Sequence, residues 1–313
     1  MYGGVPVLHI LQTALELGFL YALIPMALFL SFRVLDIADM TTDGCFVLGT
    51  AVSVTMAAAG HPFLAIPAAM AAGVCAGFVT AFQQTRLGVP SILAGIVTNM
   101  GLYTINLMVM KWSANVSLLK TATIFTLFQQ TGIGGQWYEA LLAGAVVILA
   151  GVLLVLFLGT RLGLSIRATG DNIDMVRASS VNPTFTITVG LCVANALTAL
   201  SGAMVGQYQN TADINGGTGI VVIGLACLII GETVLGRKSV VKGALAAVIG
   251  SIIYRFIYAI VLYTKIMPVQ GLKLVTAIIV ALAIAFPTMK NWAAFQKRKN
   301  ARKKAHTVKG GRF

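Results

Sequence analysis

The chain has 313 residues, of which 58% are hydrophobic and 10% charged, and its formal net charge is +13. Soluble globular domains carry roughly 25% charged residues, so this composition, with a mean hydropathy of +0.90, excludes a soluble globular protein. The basic residues lie in short loops and in the tail without interleaved aromatic residues, which argues against a nucleic-acid partner. Because lipid tolerates no open sheet or irregular chain, we predict an all-α, polytopic transmembrane helical bundle.

Apolar segments recur along most of the chain, and two of them are short. We treat residues 1–288 as a single transmembrane domain and residues 289–313 as a basic tail that anchors on anionic lipid. Lysine and arginine residues in the short loops place the C-terminus in the cytoplasm and, with nine segments, the N-terminus outside. The predicted segments are 8–30, 44–59, 62–85, 89–110, 139–160, 184–206, 219–235, 240–262 and 266–287.

Two polar interruptions resemble each other and precede the short segments. The first reads ADMTTDGCFVLGTA from Ala38, and the second reads ADINGGTGIVVIGLA from Ala212. Our topology places them on opposite sides of the membrane, which is typical of a transporter with two broken helices in an inverted repeat and a path where they meet. A chance likeness between two glycine-rich loops is the alternative. The candidate path residues are Asp39, Thr42, Asp43, Asn99, Asp213 and Asn215.

Residues 161–183 form a polar stretch between two apolar segments and are predicted to lie outside the bilayer. Asp171 can cap a short amphipathic helix that carries Asp174 in its first turn and Arg177 in its last. Asn182, followed by proline, is a start signal for the next helix. This local pattern fits an ordinary cytoplasmic connector or a docking helix for another protein.

The sequence carries no pattern of catalytic or metal-binding residues. The three histidines, His9, His61 and His306, are scattered, and no paired carboxylates are expected in a cleft. We therefore predict no catalytic residue, no metal and no enzymatic activity. The segment GETVLGRKS from Gly231 nearly spells a phosphate loop, but Arg237 interrupts the motif and a membrane helix precedes it. A nucleotide, if one is used, is expected to bind to another chain.

Two charged residues lie deep in apolar segments, where charge is costly and seldom accidental: Glu16 and Arg255. They can pair across the bundle. Alternatively, Arg255 extends outward beside Tyr254 and Tyr258, and Glu16 faces a polar cavity.

Three segments together resemble the permease subunit of bacterial ABC importers of the branched-chain amino acid and ribose class. They are LDIADMTTDGCFVLG, TRLGLSIRATGDNIDMVRASSVNP with the helix that follows it, and GGTGIVVIGLACLIIGETVLGRKSVVKGALAAVIG. The likeness extends from about Leu15 to Pro287. The early segment departs from the sugar members at Ala38 and Asp39 and is most similar to a subgroup linked to aromatic amino acid uptake.

The resemblance implies a multi-pass protein of the bacterial cytoplasmic (inner) membrane that imports an amino acid, branched-chain or aromatic, or a related compound. It implies a homodimer of permease copies, cytoplasmic ABC ATPase subunits that hold ATP and Mg, and an extracytoplasmic solute-binding protein. No cofactor is expected in this chain. Carried over residue by residue, the ATPase-docking role falls on Gly170, Asp171, Asn172, Ala178, Val181 and Asn182.

Other functions remain open at this stage. A sugar or nucleoside importer permease of the same family fits the same motifs. An ion-coupled secondary transporter would need a coupling carboxylate, for which Glu16 is the deep candidate. A membrane scaffold or receptor would move no solute.

Overall fold

The computed structural model describes residues 7–118, 121–130, 132, 135–236 and 239–264, together with isolated positions between 274 and 285. The chain divides into two compact units, Met1–Ile266 and Met267–Phe313, and the first contains every element described below. Apart from those isolated positions, the ninth predicted segment, 266–287, and the basic tail, 289–313, lie outside the described residues.

The predicted all-α, polytopic bundle is confirmed. In the part of the chain that the structure describes, eight of the predicted apolar segments are helices; six of these helices are long and apolar enough to cross a membrane, and the other two are shorter. The elements are α1 (Val7–Leu28) with a π-helical turn (Phe29–Val34), α2 (Thr42–Ala58), α3 (Pro62–Thr85), α4 (Ser91–Val109), β1 (Asn115–Ser117), α5 (Ile124–Gln130), α6 (Tyr138–Gly159), α7 (Arg161–Asp171), α8 (Ile173–Ala178), α9 (Pro183–Gln209), β2 (Thr211–Asp213), α10 (Ile220–Leu235) and α11 (Val240–Tyr263).

Helices α1 and α9 form the centre of the bundle. Leu23 and Leu28 of α1 and Ala199 and Ala203 of α9 are completely buried. Small residues let helices approach closely, which is how membrane helices gain packing energy without a hydrophobic driving force between them. The Ser201 hydroxyl of α9 donates to the backbone oxygen of Leu20 at 2.8 Å and joins the two central helices.

The first broken element consists of the non-helical residues 35–41 and helix α2. Its polar backbone is tolerated inside the bundle because protein groups satisfy it: the side chain of Asn195, near the middle of α9, donates to Asp39 at 2.7 Å. Further on, the Ser53 hydroxyl donates to the backbone oxygen of Ala203 at 3.1 Å. Helix α2 therefore runs parallel to α9, from the middle of the bundle towards the end where α9 finishes and β1 pairs with β2.

The second broken element runs in the opposite direction. After β2 the chain returns without helical structure to Gly219, beside Asp43 at the start of α2, and α10 begins there. Near the end of α10, Glu232 pairs with Arg33 at the end of α1. The two short helices thus start together and diverge towards opposite ends, as the predicted inverted repeat requires. We call these ends the β1–β2 end and the α7–α8 end.

The polar stretch 161–183 folds as two helices rather than one, which corrects our prediction. Asp171 is the last residue of α7, and Asn172, in extended backbone, caps α8: its Oδ1 accepts from the backbone N–H of Met175 at 3.0 Å. Asp174 and Arg177 lie in the first and last turns of α8, as predicted. Asn182 caps α9, also as predicted, by accepting from the backbone N–H of Thr184 at 3.0 Å.

Candidate functional site

A single carboxylate joins the starts of the two short helices. Asp43, in the first turn of α2, accepts from the backbone N–H groups of Gly219 at 3.0 Å and Val221 at 2.8 Å. Gly219 has no side chain to cap α10, so Asp43 satisfies amide groups that the helix start leaves without partners. Asp43 therefore lies at the N-termini of both short helices, where negative charge is favoured.

A cavity of about 490 Å³ opens beside Asp43 and lies between the two broken elements and α4. Of the predicted path residues, Asp43, Asn99 and Asn215 line it. Met100, Tyr103 and Thr218 also line the cavity but were not predicted as path residues. Met100 and Tyr103 reach it because α4 packs against the start of α2. Thr218 reaches it because the chain after β2 folds back towards Asp43. Spacing along α4 from Asn99 was the one signal that could have placed Tyr103 on the same face.

The other predicted path residues lie elsewhere. Asp39 is buried, 1% exposed, and accepts from Asn195 and from the backbone N–H of Thr41, so it holds the non-helical residues 35–41 in place. Thr42 is buried, and its hydroxyl donates to the backbone oxygen of Asp39. Asp213 is exposed at the β1–β2 end, where it accepts from the backbone N–H of Asn215.

The residues predicted to dock an ATPase lie on α7, on α8 and in the link to α9. Helix α8 stands out from the bundle and buries Val176, whereas Ile173 and Met175 are 42% and 53% exposed. A groove on another protein can accept such an exposed apolar surface on a short, capped helix. Asp171, Asn172, Ala178 and Asn182 are exposed, Val181 is half-buried, and Gly170 faces the bundle.

Gly170 links this element to the rest of the bundle. A side chain there would collide with the backbone oxygen of Val34, so only glycine allows α7 to pack on the π-helical turn. The hydroxyls of Thr169 and Thr186 lie 2.8 Å apart and join α7 to α9. Single π-helical turns within α-helices are frequent at functional sites.

An ion pair that the sequence reading missed connects this turn with the second broken element. Arg33 donates to both carboxylate oxygens of Glu232, each at 2.8 Å. The Glu232 side chain is 4% exposed and that of Arg33 is 37% exposed. The α7–α8 element thus contacts the turn at the end of α1, and that turn is bound to α10, whose other end rests on Asp43.

The deep charges do not pair with each other. Glu16 accepts from the Tyr208 hydroxyl at 2.8 Å and lines a polar cavity of about 360 Å³ at the β1–β2 end. The guanidinium of Arg255 lies over the ring of Tyr21, 3.6 Å from its centroid. Glu139 lines the same cavity as Glu16, which corrects our expectation that no two carboxylates share a cleft.

The first half of the near-match to a phosphate loop is helical. Gly231 lies inside α10 and packs against α11 at Ala246, so the first half of the motif cannot form a loop around phosphate. Among the described residues, no group of three or more histidine, cysteine, aspartate and glutamate side chains is arranged to hold a metal ion.

A multi-pass helical bundle with two short, oppositely directed helices that meet inside it is the architecture of a membrane transport protein. The chain belongs to the family described as "Branched-chain amino acid transport system / permease component", whose pattern matches residues 10–286. It is therefore a permease component of an ABC-type transport system, and this family is not one of enzymes.

Two relatives are similar over nearly the whole chain. The "Tyrosine transport system permease protein" of Clostridioides difficile (strain R20291) is 31% identical over 282 residues, which cover 90% of this chain and 91% of that protein. An uncharacterized protein of Rickettsia prowazekii (strain Madrid E) is 30% identical over 282 residues, which cover 89% of this chain and 98% of that one. No solved structure matches the chain significantly.

Proposed function

We propose that this chain is the membrane subunit of an ATP-driven importer that carries an amino acid, tyrosine or a similar aromatic one, into a bacterial cell. The solute class comes from the early segment and from the name of the relative in Clostridioides difficile. In this proposal two copies of the chain enclose the path in the cytoplasmic (inner) membrane. ATP and Mg bind to separate ATPase subunits, and an extracytoplasmic protein delivers the solute.

One observation carries the proposal: the exposed helix α8 belongs to an element that contacts the bundle where the first broken element begins. Gly170 of α7 packs against Val34, directly before the non-helical residues 35–41. A displacement of α7–α8 by a partner therefore acts on both short helices, on α2 through residues 35–41 and on α10 through Arg33 and Glu232.

The orientation follows from the position of the basic residues. Arg33 and the three arginines of α7 and α8 lie at the α7–α8 end, and excess basic charge is typical of cytoplasmic loops. We therefore place the α7–α8 end and the C-terminus in the cytoplasm. The β1–β2 end then faces outward, where a solute-binding protein can reach it. The ATPase occupies the opposite face, on α8 and on the docking residues around it.

The test is a reconstitution of the full chain with its ATPase and solute-binding protein in liposomes, with labelled tyrosine as the probe. We expect accumulation that requires ATP. Met175→Asp places a charge on the exposed apolar surface of α8, and we expect about tenfold weaker retention of the ATPase together with lost uptake. The matched control is Ala114→Asp, which adds the same charge to an exposed position at the β1–β2 end and should leave ATPase retention unchanged.

Two results would contradict the proposal. Accumulation driven by an ion gradient in the absence of any ATPase would favour the ion-coupled alternative. Retention of the ATPase by Met175→Asp, with its loss in Ala114→Asp, would place the docking surface at the wrong end of the protein.

A further inference from the structure

The cavity beside Asp43 is rich in hydrogen-bond acceptors. Asp43 is partly exposed, and although each carboxylate oxygen already accepts from one backbone N–H, each has a second lone pair to offer. Among the residues that line the cavity in the described part of the chain there is no lysine, arginine or histidine. A ligand that brings positive charge and N–H donors therefore meets complementary groups here.

Asn106 adds an acceptor that has no partner. This residue is 1% exposed and lines the cavity, and its Nδ2 donates to the backbone oxygen of Gly44 at 3.1 Å. That bond fixes which way round the amide lies, so Oδ1 is the remaining acceptor, and it receives no hydrogen bond from the described residues. Buried polar atoms are nearly always paired, so an unpaired one beside a cavity points to a group that arrives with the ligand.

The cavity wall also includes side chains that suit an apolar body. Val47, Met100, Tyr103 and Ile214 line it together with Asp43. Its volume of about 490 Å³ falls within the roughly 300–1,000 Å³ typical of small-molecule sites. The wall thus combines an anionic, acceptor-bearing group with apolar side chains.

We propose that this cavity binds the ammonium group of the transported solute, with Asp43 and Asn106 as its acceptors and the apolar wall against its side chain. An ammonium group is a compact charge with three donors, whereas a sugar brings no charge. The membrane subunit itself then selects for amine-bearing solutes. This inference rests on the proposed function, because it treats the cavity as part of the transport path.

The experiment measures occupancy of the cavity in the full chain, held in lipid nanodiscs. Met100→Cys supplies a thiol at the rim, where Met100 is 72% exposed. Cys75 and Cys192 are replaced by alanine, and the buried Cys45 and Cys227 are kept. The rate of maleimide labelling is followed with four probes: tyrosine, tyramine, 3-(4-hydroxyphenyl)propionate and ribose.

We expect tyrosine and tyramine to slow labelling, and the propionate and ribose to leave it unchanged. Equal protection by the propionate and tyramine would overturn the inference, and so would an absence of protection by every probe. This comparison needs no change at Asp43 and stands even if a variant at that position does not fold.

Variants then test the two acceptors. Asp43→Asn keeps the shape and removes the charge, and we expect the tyramine concentration for half-protection to rise about 10- to 100-fold, as for a lost hydrogen bond to a charged group. Asp36→Asn makes the same change at an exposed position away from the cavity and should have no effect. Asn106→Leu should weaken protection in the same direction, and unaltered protection in both cavity variants would refute the assignment.

The two proposals fail differently. If ATP-driven tyrosine uptake occurs while protection shows no preference for amines, only the ammonium site is wrong. If no ATP-driven uptake occurs, the proposed function is wrong, whatever binds in the cavity.

Discussion

The ion pair between Arg33 and Glu232 gives the sharpest quantitative prediction, because its two members differ in burial. Removing one partner of a buried pair costs roughly 3–5 kcal/mol. Arg33 is 37% exposed, however, so water reaches the pair from one side. For Arg33→Leu, which leaves the 4% exposed Glu232 carboxylate without this guanidinium, we expect the free energy of unfolding to fall by about 2–3 kcal/mol.

The reverse change should cost less. In Glu232→Leu the guanidinium of Arg33 can turn towards water, so we expect a loss of about 1 kcal/mol. The double variant should be more stable than the sum of the single changes implies, by about 2 kcal/mol, because it leaves no buried charge behind. Transporters that contain these variants should hydrolyse more ATP per solute molecule transported, because the ion pair that connects α10 to the end of α1 is lost.

The assay is unfolding of the purified chain by titration with dodecyl sulfate, followed by circular dichroism. The control is Arg177→Leu, which removes the arginine of an exposed pair whose atoms lie 3.6 Å apart, with side chains 68% and 92% exposed. We expect it to cost less than about 0.5 kcal/mol. Equal losses for Arg33→Leu and Arg177→Leu, or strict additivity in the double variant, would refute the reasoning.

Three further predictions concern single residues, each measured by the same unfolding titration unless stated. Asn172→Ala should fray α8 by removing its cap, at a cost of about 1 kcal/mol to the local helix, and should weaken ATPase retention. Asp171→Ala should have neither effect. Equal effects of the two variants would show that Asp171 acts as the cap. Gly231→Ala should cost about 2 kcal/mol, since its methyl group would strike the backbone of Ala246. Gly101→Ala, whose new methyl group would meet no atom within 4 Å beyond the adjacent residues and the backbone of its own helix, should be neutral or slightly stabilising. Asn195→Ala should lower the free energy of unfolding by about 2–3 kcal/mol, because it removes a hydrogen bond to the buried Asp39 carboxylate. A loss of stability no larger than that of Gly101→Ala would contradict this role.

The sequence predicted the long helices well because their apolar runs are long enough to decide the structure alone. It also placed the start of α9 correctly, since Asn182 acts locally on the next turn. The cap of α8 was misassigned because Asp171 and Asn172 are both suitable, and the choice depends on how far α7 continues. The length of α7 is set by its packing on the bundle at Gly170. The local sequence pattern carries no information about this contact.

The candidate site could be predicted only in part, for a similar reason. The likeness between the two interruptions correctly indicated broken helices, and Asp43, Asn99 and Asn215 do line one cavity. The contact of Asp43 with Gly219, and that of Arg33 with Glu232, joins residues that are far apart in the chain. Nothing near Arg33 in sequence reveals that Glu232 is its partner. Asp39 also lies in the first interruption, but it does not line the cavity. Its carboxylate accepts hydrogen bonds from Asn195 and Thr41 instead.

The central claim is that a separate ATPase contacts this protein on α8, and site-specific photo-cross-linking tests it most directly. A photoreactive phenylalanine derivative is placed at Met175, which is 53% exposed, or at Trp112, which is 67% exposed beyond α4, towards the β1–β2 end. In the reconstituted complex we expect the Met175 variant to form a covalent adduct with the ATPase and the Trp112 variant to form none. An ATPase adduct at Trp112, or an intact complex in which Met175 forms none, would contradict the account.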